Sequence, residues 1–165
     1  DLSEFFKQRL ANLLSEKGIA YDVINCVLAG RWGRLASTAA KAAALWYFKE
    51  NEAYKGLLEA YTRVANLAKN AVDCDVKEEL LIEAGEKRLW QTLNQLVDRT
   101  DSLWKNEQYL ELLIEFSTLK PWIDEFFDST MVMVDDHKLK NNRLALLGSI
   151  VQYIMPFGDL AKLVQ

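Results

Sequence analysis

Apolar residues recur along the chain at the 3.6-residue spacing of amphipathic helices. After Ser3, a good N-cap residue, Phe6, Leu10, Leu13 and Leu14 share one face, and Gly18 supplies a stop. Residues 21–29 read as a short second helix closed by Gly30, and 35–48 as an alanine-rich third. Asn51 can cap the next helix, in which Tyr54, Leu57, Leu58, Tyr61, Val64, Ala65 and Ala68 form a core stripe. The pattern breaks over 72–75 and resumes over 76–97 through Leu80, Leu81, Ala84, Leu89, Leu93 and Leu96, with Gly85 a weak point inside it.

Asn106 or Ser102 can cap a helix running to about Ser117, and Pro121 suits the first residue of the one after it. Asp135 or Asp136 then caps a long final helix that Pro156 kinks or ends. No strand-period segment, Asn-Gly hairpin, internal repeat or linker interrupts the series. The pattern predicts an all-α protein, a single helical bundle of about seven to nine helices.

Composition agrees with long helices around an aromatic-rich core. The 165 residues are half apolar, with seven Gly, two Pro, five Trp, six Tyr and seven Phe. A net charge of −4 excludes disorder driven by self-repulsion. Cys26 and Cys74 stand far apart and form no C-x-x-C pair, which predicts reduced thiols in a cytoplasmic setting, or an organellar one for a plant source. The longest uncharged run, 144–158, falls short of the roughly 18 apolar residues of a membrane span, so no membrane partner is expected.

Candidate chemistry is sparse. His137 is the single histidine, so no Ser-His-Asp or Cys-His arrangement can be assembled, and one His with two distant Cys makes a poor zinc set. Asp135-Asp136-His137 reads as helix-start acids, Asp73-Cys74-Asp75 as a turn, and Gly30-Arg31-Trp32-Gly33 lacks the spacing of a phosphate-binding glycine loop. No catalytic residue, metal site or cofactor is expected in this chain.

Charge is distributed unevenly. Residues 31–70 carry seven basic and three acidic side chains, for +4, and 137–165 carry four against one, for +3. Residues 71–136 carry six against sixteen, for −10. On the helix after Asn51, Arg63, Asn66 and Lys69 lie opposite the core stripe together with Lys55, Glu59 and Asn70. Near the start of the final helix, Lys138, Lys140, Asn142 and Arg143 crowd the first turns with Asn141. Lys and Arg suit phosphate contacts, and Arg and Asn suit the edges of unstacked bases. On charge alone, an ordinary solvated helix face is the better explanation of such clusters. Arg143, beside an apolar run, also fits an internal partner for an acid such as Asp128.

Residues 126–136, Phe-Phe-Asp-Ser-Thr-Met-Val-Met-Val-Asp-Asp, followed by Leu-Lys-Asn-Asn-Arg-Leu-Ala-Leu-Leu at 139–147, resemble the C-terminal end of the beta subunit of bacterial-type glycyl-tRNA synthetases. Phe5 to Leu10 with Tyr21 to Ile24, Tyr61 to Leu67, and Phe157 to Leu163 follow in that family's order. The resemblance implies a DALR-type anticodon-binding domain, named for an Asp-Ala-Leu-Arg signature shared with arginyl-tRNA synthetases. Those letters themselves are not present as such. Where the family tends to be acidic, over 30–44, this chain has Arg31, Arg34 and Lys41.

The resemblance further implies that residues 1–165 are a single helical domain from the C-terminal end of a longer subunit. Its partners would be the anticodon loop of a glycine tRNA and, through that subunit, a catalytic alpha subunit that uses ATP and magnesium. Arg63 and Asn66 are then the first choices for base contact and Asn142 and Arg143 the second, with Lys69, Lys138 and Lys140 for phosphates. Two other readings stand beside this one. One is a helical protein-interaction domain docking through Trp32 or Trp122, and the other is the anticodon domain of an arginyl enzyme.

Overall fold

The computed structural model describes residues 1–164. Among them are eight α-helices and no strand: α1 (Leu2–Glu16), α2 (Tyr21–Leu28), α3 (Leu35–Phe48), α4 (Tyr54–Ala68), α5 (Ala84–Lys105), α6 (Tyr109–Ser117), α7 (Lys120–Ser129) and α8 (His137–Ile154). Short 3-10 turns occupy Glu78–Leu80 and Leu160–Lys162. The expected all-α bundle and its helix number are therefore present.

Helix limits follow local chemistry. Asp1 rather than Ser3 caps α1, its carboxylate accepting from the Ser3 N–H at 3.2 Å, and Gly18 closes that helix with φ of 85°. Asn51 Oδ1 accepts from the Ala53 N–H at 2.8 Å just before α4. Asp136 Oδ1 accepts from the N–H groups of Lys138 and Leu139, and so caps α8. Neither Ser102 nor Asn106 caps α6: Ser102 lies inside α5 and Asn106 is that helix's C-cap.

The larger departure concerns the helix expected over 76–97. Helix α5 begins at Ala84, and residues 72–83 run as an irregular strap with one 3-10 turn beside α8. Asn142 on α8 fixes that strap by accepting from the Lys77 N–H at 2.7 Å and donating to the Lys77 carbonyl at 3.0 Å. Ser149 Oγ donates to the Cys74 carbonyl at 3.1 Å. Leu81, at the strap's end, is buried in place of a helical neighbour.

Helix α4 packs most extensively on α8, α5 on α7, and α3 on α6. Edge-to-face contacts join Trp104, Phe116, Tyr153 and Phe157, with ring centroids 5.5–6.1 Å apart, and tie α5, α6 and α8 to the turn beyond α8. Beside this centre, the extensive packing of α4 on α8 sets those two helices side by side.

Candidate nucleic-acid interface

Leu57, Leu58, Ala60, Tyr61 and Val64 of α4 are buried, so the opposite face of the helix meets solvent. Arg63, Asn66 and Lys69 are all exposed there. The Arg63 guanidinium lies 4.2 Å from the centroid of the Phe127 ring on α7, which restrains the side chain without neutralising it. Asn66 and Lys69 border an open groove of about 850 Å³ between α4 and α8. Gln152 of α8 faces them, and Arg31, in the loop between α2 and α3, closes one end.

That loop is anchored from below. The Pro156 carbonyl accepts from the Arg31 N–H at 3.1 Å and from the buried Lys41 Nζ at 2.8 Å. Burial, and then the nearby Arg31 guanidinium, lower the Lys41 pKa, against a smaller opposing pull from Glu107. The Lys41 ammonium thus serves the fold, and the exposed Arg31 guanidinium remains available to a ligand.

The second expected cluster divides. Lys138 is exposed and Lys140 half-buried, but Lys138 shares an open cleft of about 460 Å³ with Asp73, Asp75 and Glu79 as well as Lys77. Those three carboxylates weaken it as a phosphate site. Lys138 lies ten residues before Gly148, where α8 borders the first groove, which along a helix is about 15 Å.

Asn142 and Arg143 do not sit on the exposed face expected of them: both are buried, and Asn142 reaches only the edge of the acidic cleft. The Asn142 amide is used up on the Lys77 backbone. Arg143 Nε donates to Glu86 Oε1 at 2.7 Å and Nη1 donates to the Met131 carbonyl at 2.8 Å. Its acid is therefore Glu86, and Asp128 remains exposed. Glu86 Oε2 also accepts from the N–H groups of Ile82 and Glu83, so the pair joins the start of α5 to α8 and to the loop before it.

Trp32 is half-buried, donating from Nε1 to the Leu28 carbonyl at 3.2 Å beneath Lys7. Trp122 lies at the surface of α7. No sequence signal marked Gln152 or Tyr61 for the groove, because nothing in their spacing foretells the pairing of α4 with α8. Arg31 was visible as unexpected charge. Among the described residues no group of three or more His, Cys, Asp or Glu side chains is placed to hold a metal ion. No helix among them is long and apolar enough to cross a membrane.

Comparison with known proteins adds two findings. Residues 57–156 match the family model described as the DALR anticodon binding domain, a stretch that begins in α4 and ends just after α8. Over nearly its whole length the chain is also similar to proteins named glycine--tRNA ligase beta subunit. It is 36% identical over 164 residues to that of Desulforamulus reducens, 36% over 163 residues to that of Geobacter sp. strain M21, and 37% over 164 residues to that of Moorella thermoacetica. In each case 99% of the chain is covered and 24% of the relative, so the chain spans about a quarter of these curated relatives' length.

Proposed function

This chain belongs to the family of DALR anticodon binding domains, and from that premise we propose that it holds the anticodon stem-loop of a glycine tRNA as part of a glycine--tRNA ligase beta subunit. The observation that carries the reading is the match over 57–156, which takes in both α4 and α8 and hence both walls of the groove. The named relatives supply the amino acid.

On this reading Arg63, Asn66, Lys69 and Arg31 form the receiving face. Lys138 and Lys140 add a peripheral phosphate contact across the acidic cleft. Aminoacylation itself belongs to a separate catalytic alpha subunit that binds ATP and magnesium, in a cytoplasmic complex. Gripping the anticodon end orients the distant acceptor end, so that remote binding energy serves the chemical step.

The test is titration of the chain with glycine tRNA and with a non-cognate tRNA over a range of salt concentrations. Binding should weaken steeply and log-linearly with salt. Arg63→Ala should lower affinity roughly fivefold or more, within the range of a single lost contact, and leave the helical circular dichroism unchanged. Salt-insensitive binding, or equal binding by the Arg63→Ala chain, contradicts the reading.

A further inference from the structure

We infer that the groove between α4 and α8 seats one unstacked nucleotide of the bound RNA loop, its base lying between Asn66 and Gln152 and its phosphates against Arg31 and Lys69. This rests on the anticodon-binding reading and extends it from a charged face to a defined pocket.

Space comes first. The groove's volume of about 850 Å³ lies within the roughly 300–1,000 Å³ of small-molecule sites. Small residues line the groove, and at Ala65 and Ala68 a planar ring can approach the α4 backbone closely. Gly148 of α8 also borders it, packed against the strap where a Cβ would stand 3.0 Å from Cys74 Sγ. Val151 and Met155 supply an apolar wall for a base face.

The polar groups are placed for an edge and a backbone. Asn66 and Gln152 are exposed on the two facing helices, and among the described residues neither side chain hydrogen-bonds within the chain. Each amide offers both donor and acceptor, which a base edge requires. Arg31 and Lys69 are exposed, and no ion pair among the described residues engages either. Two acids also line the groove, but each already caps a turn: Asp73 Oδ1 accepts from the Asp75 N–H and Asp159 Oδ1 from the Ala161 N–H.

Tyr61 also borders the groove; it is 1% exposed, and its enclosed hydroxyl has no hydrogen-bond partner among the described residues.

Cys74 provides the readout, because it is half-buried in the groove wall while Cys26 is wholly buried, with its thiol pushed upward by that burial and then by Asp159 and Asp22. The chain is to be alkylated with a maleimide alone, with an anticodon stem-loop RNA, and with the same stem as a blunt duplex. The stem-loop should slow Cys74 labelling at least about fivefold, as a bound base shields the wall, and the duplex should not. Gln152→Ala should weaken stem-loop binding roughly tenfold, the loss of one base contact. Ala161→Trp, at an exposed groove position, should abolish the protection while leaving the fold intact. Should the stem-loop bind with steep salt dependence while Cys74 stays unprotected and Ala161→Trp binds as well as the native chain, the groove is not the seat, and the anticodon reading survives. Absence of any RNA binding overturns both.

Discussion

Arg143 carries a guanidinium into the interior of the bundle, 5% exposed, and Glu86 meets it with a carboxylate at 0% exposure. Both groups are further satisfied, Glu86 by two backbone N–H groups and Arg143 by the Met131 carbonyl. Removing one partner leaves the other charge buried and uncompensated, so Arg143→Met should cost about 3–5 kcal/mol in urea denaturation. Arg143→Met combined with Glu86→Gln should recover a large part of that, because the amide oxygen can still accept the two N–H bonds. Strictly additive losses in the double variant would refute this coupling. The pair also marks a limit of reading single residues from sequence. Arg63 sits opposite an apolar stripe and its exposure follows from helical period alone. Arg143 stands where a basic, polar run meets an apolar one, so its spacing allows a surface or an internal role, and its partner lies 57 positions away, where no spacing rule reaches.

At the scale of elements, most helices were legible from composition and apolar period, as in alanine-rich α3, whose limits match the expected 35–48 although no side-chain cap marks its start. The strap over 72–83 was not. Val76, Leu80 and Ala84 mimic one helical stripe, but Asn142 holds the Lys77 backbone by both its donor and its acceptor, and the strap stays extended beside α8. Tertiary hydrogen bonds outweigh local propensity here. Gly85 has a related cause: it falls in the second position of α5, where a Cβ would press on Ser129 and come within 3.3 Å of the Phe126 Cα on α7. Asn142→Ala should therefore free the strap, raising hydrogen exchange at Lys77 and the rate of Cys74 alkylation while the middle of α5 stays protected. The expected loss of global stability is about 1–3 kcal/mol for two backbone groups left unpaired. If exchange rises equally throughout α5, the strap is part of that helix's cooperative unit and Asn142 is not a local clasp.

Across the whole molecule, the two ends of the described chain are held together beside the groove. Asp22, at the start of α2, accepts from Lys49 Nζ beyond α3 at 3.3 Å and from the Val164 N–H at 3.0 Å, and so joins the first helices to the segment following α8. That segment carries Asp159, whose N–H donates to the Cys26 carbonyl at 3.0 Å and whose side chain borders the groove. Burial alone would raise the Asp22 pKa, but the Val164 N–H, the Lys49 ammonium and the Val23 N–H outweigh it and leave the carboxyl below its ordinary value. A lowered pKa in the folded state means that Asp22 stabilises the fold fully above the ordinary aspartate value near ~3.9 and loses that contribution as pH falls through the lowered one. Asp22→Asn should thus be less stable than the native chain by about 1.5–3 kcal/mol at neutral pH, the range for hydrogen bonds to a charged group. The gap should close progressively below about pH 4. RNA affinity at neutral pH should fall with it, since loosening the segment after α8 releases one side of the groove. A stability gap that persists undiminished at the acid end would mean that shape rather than charge makes the clasp, and unchanged RNA binding would detach the groove from the closure of the fold.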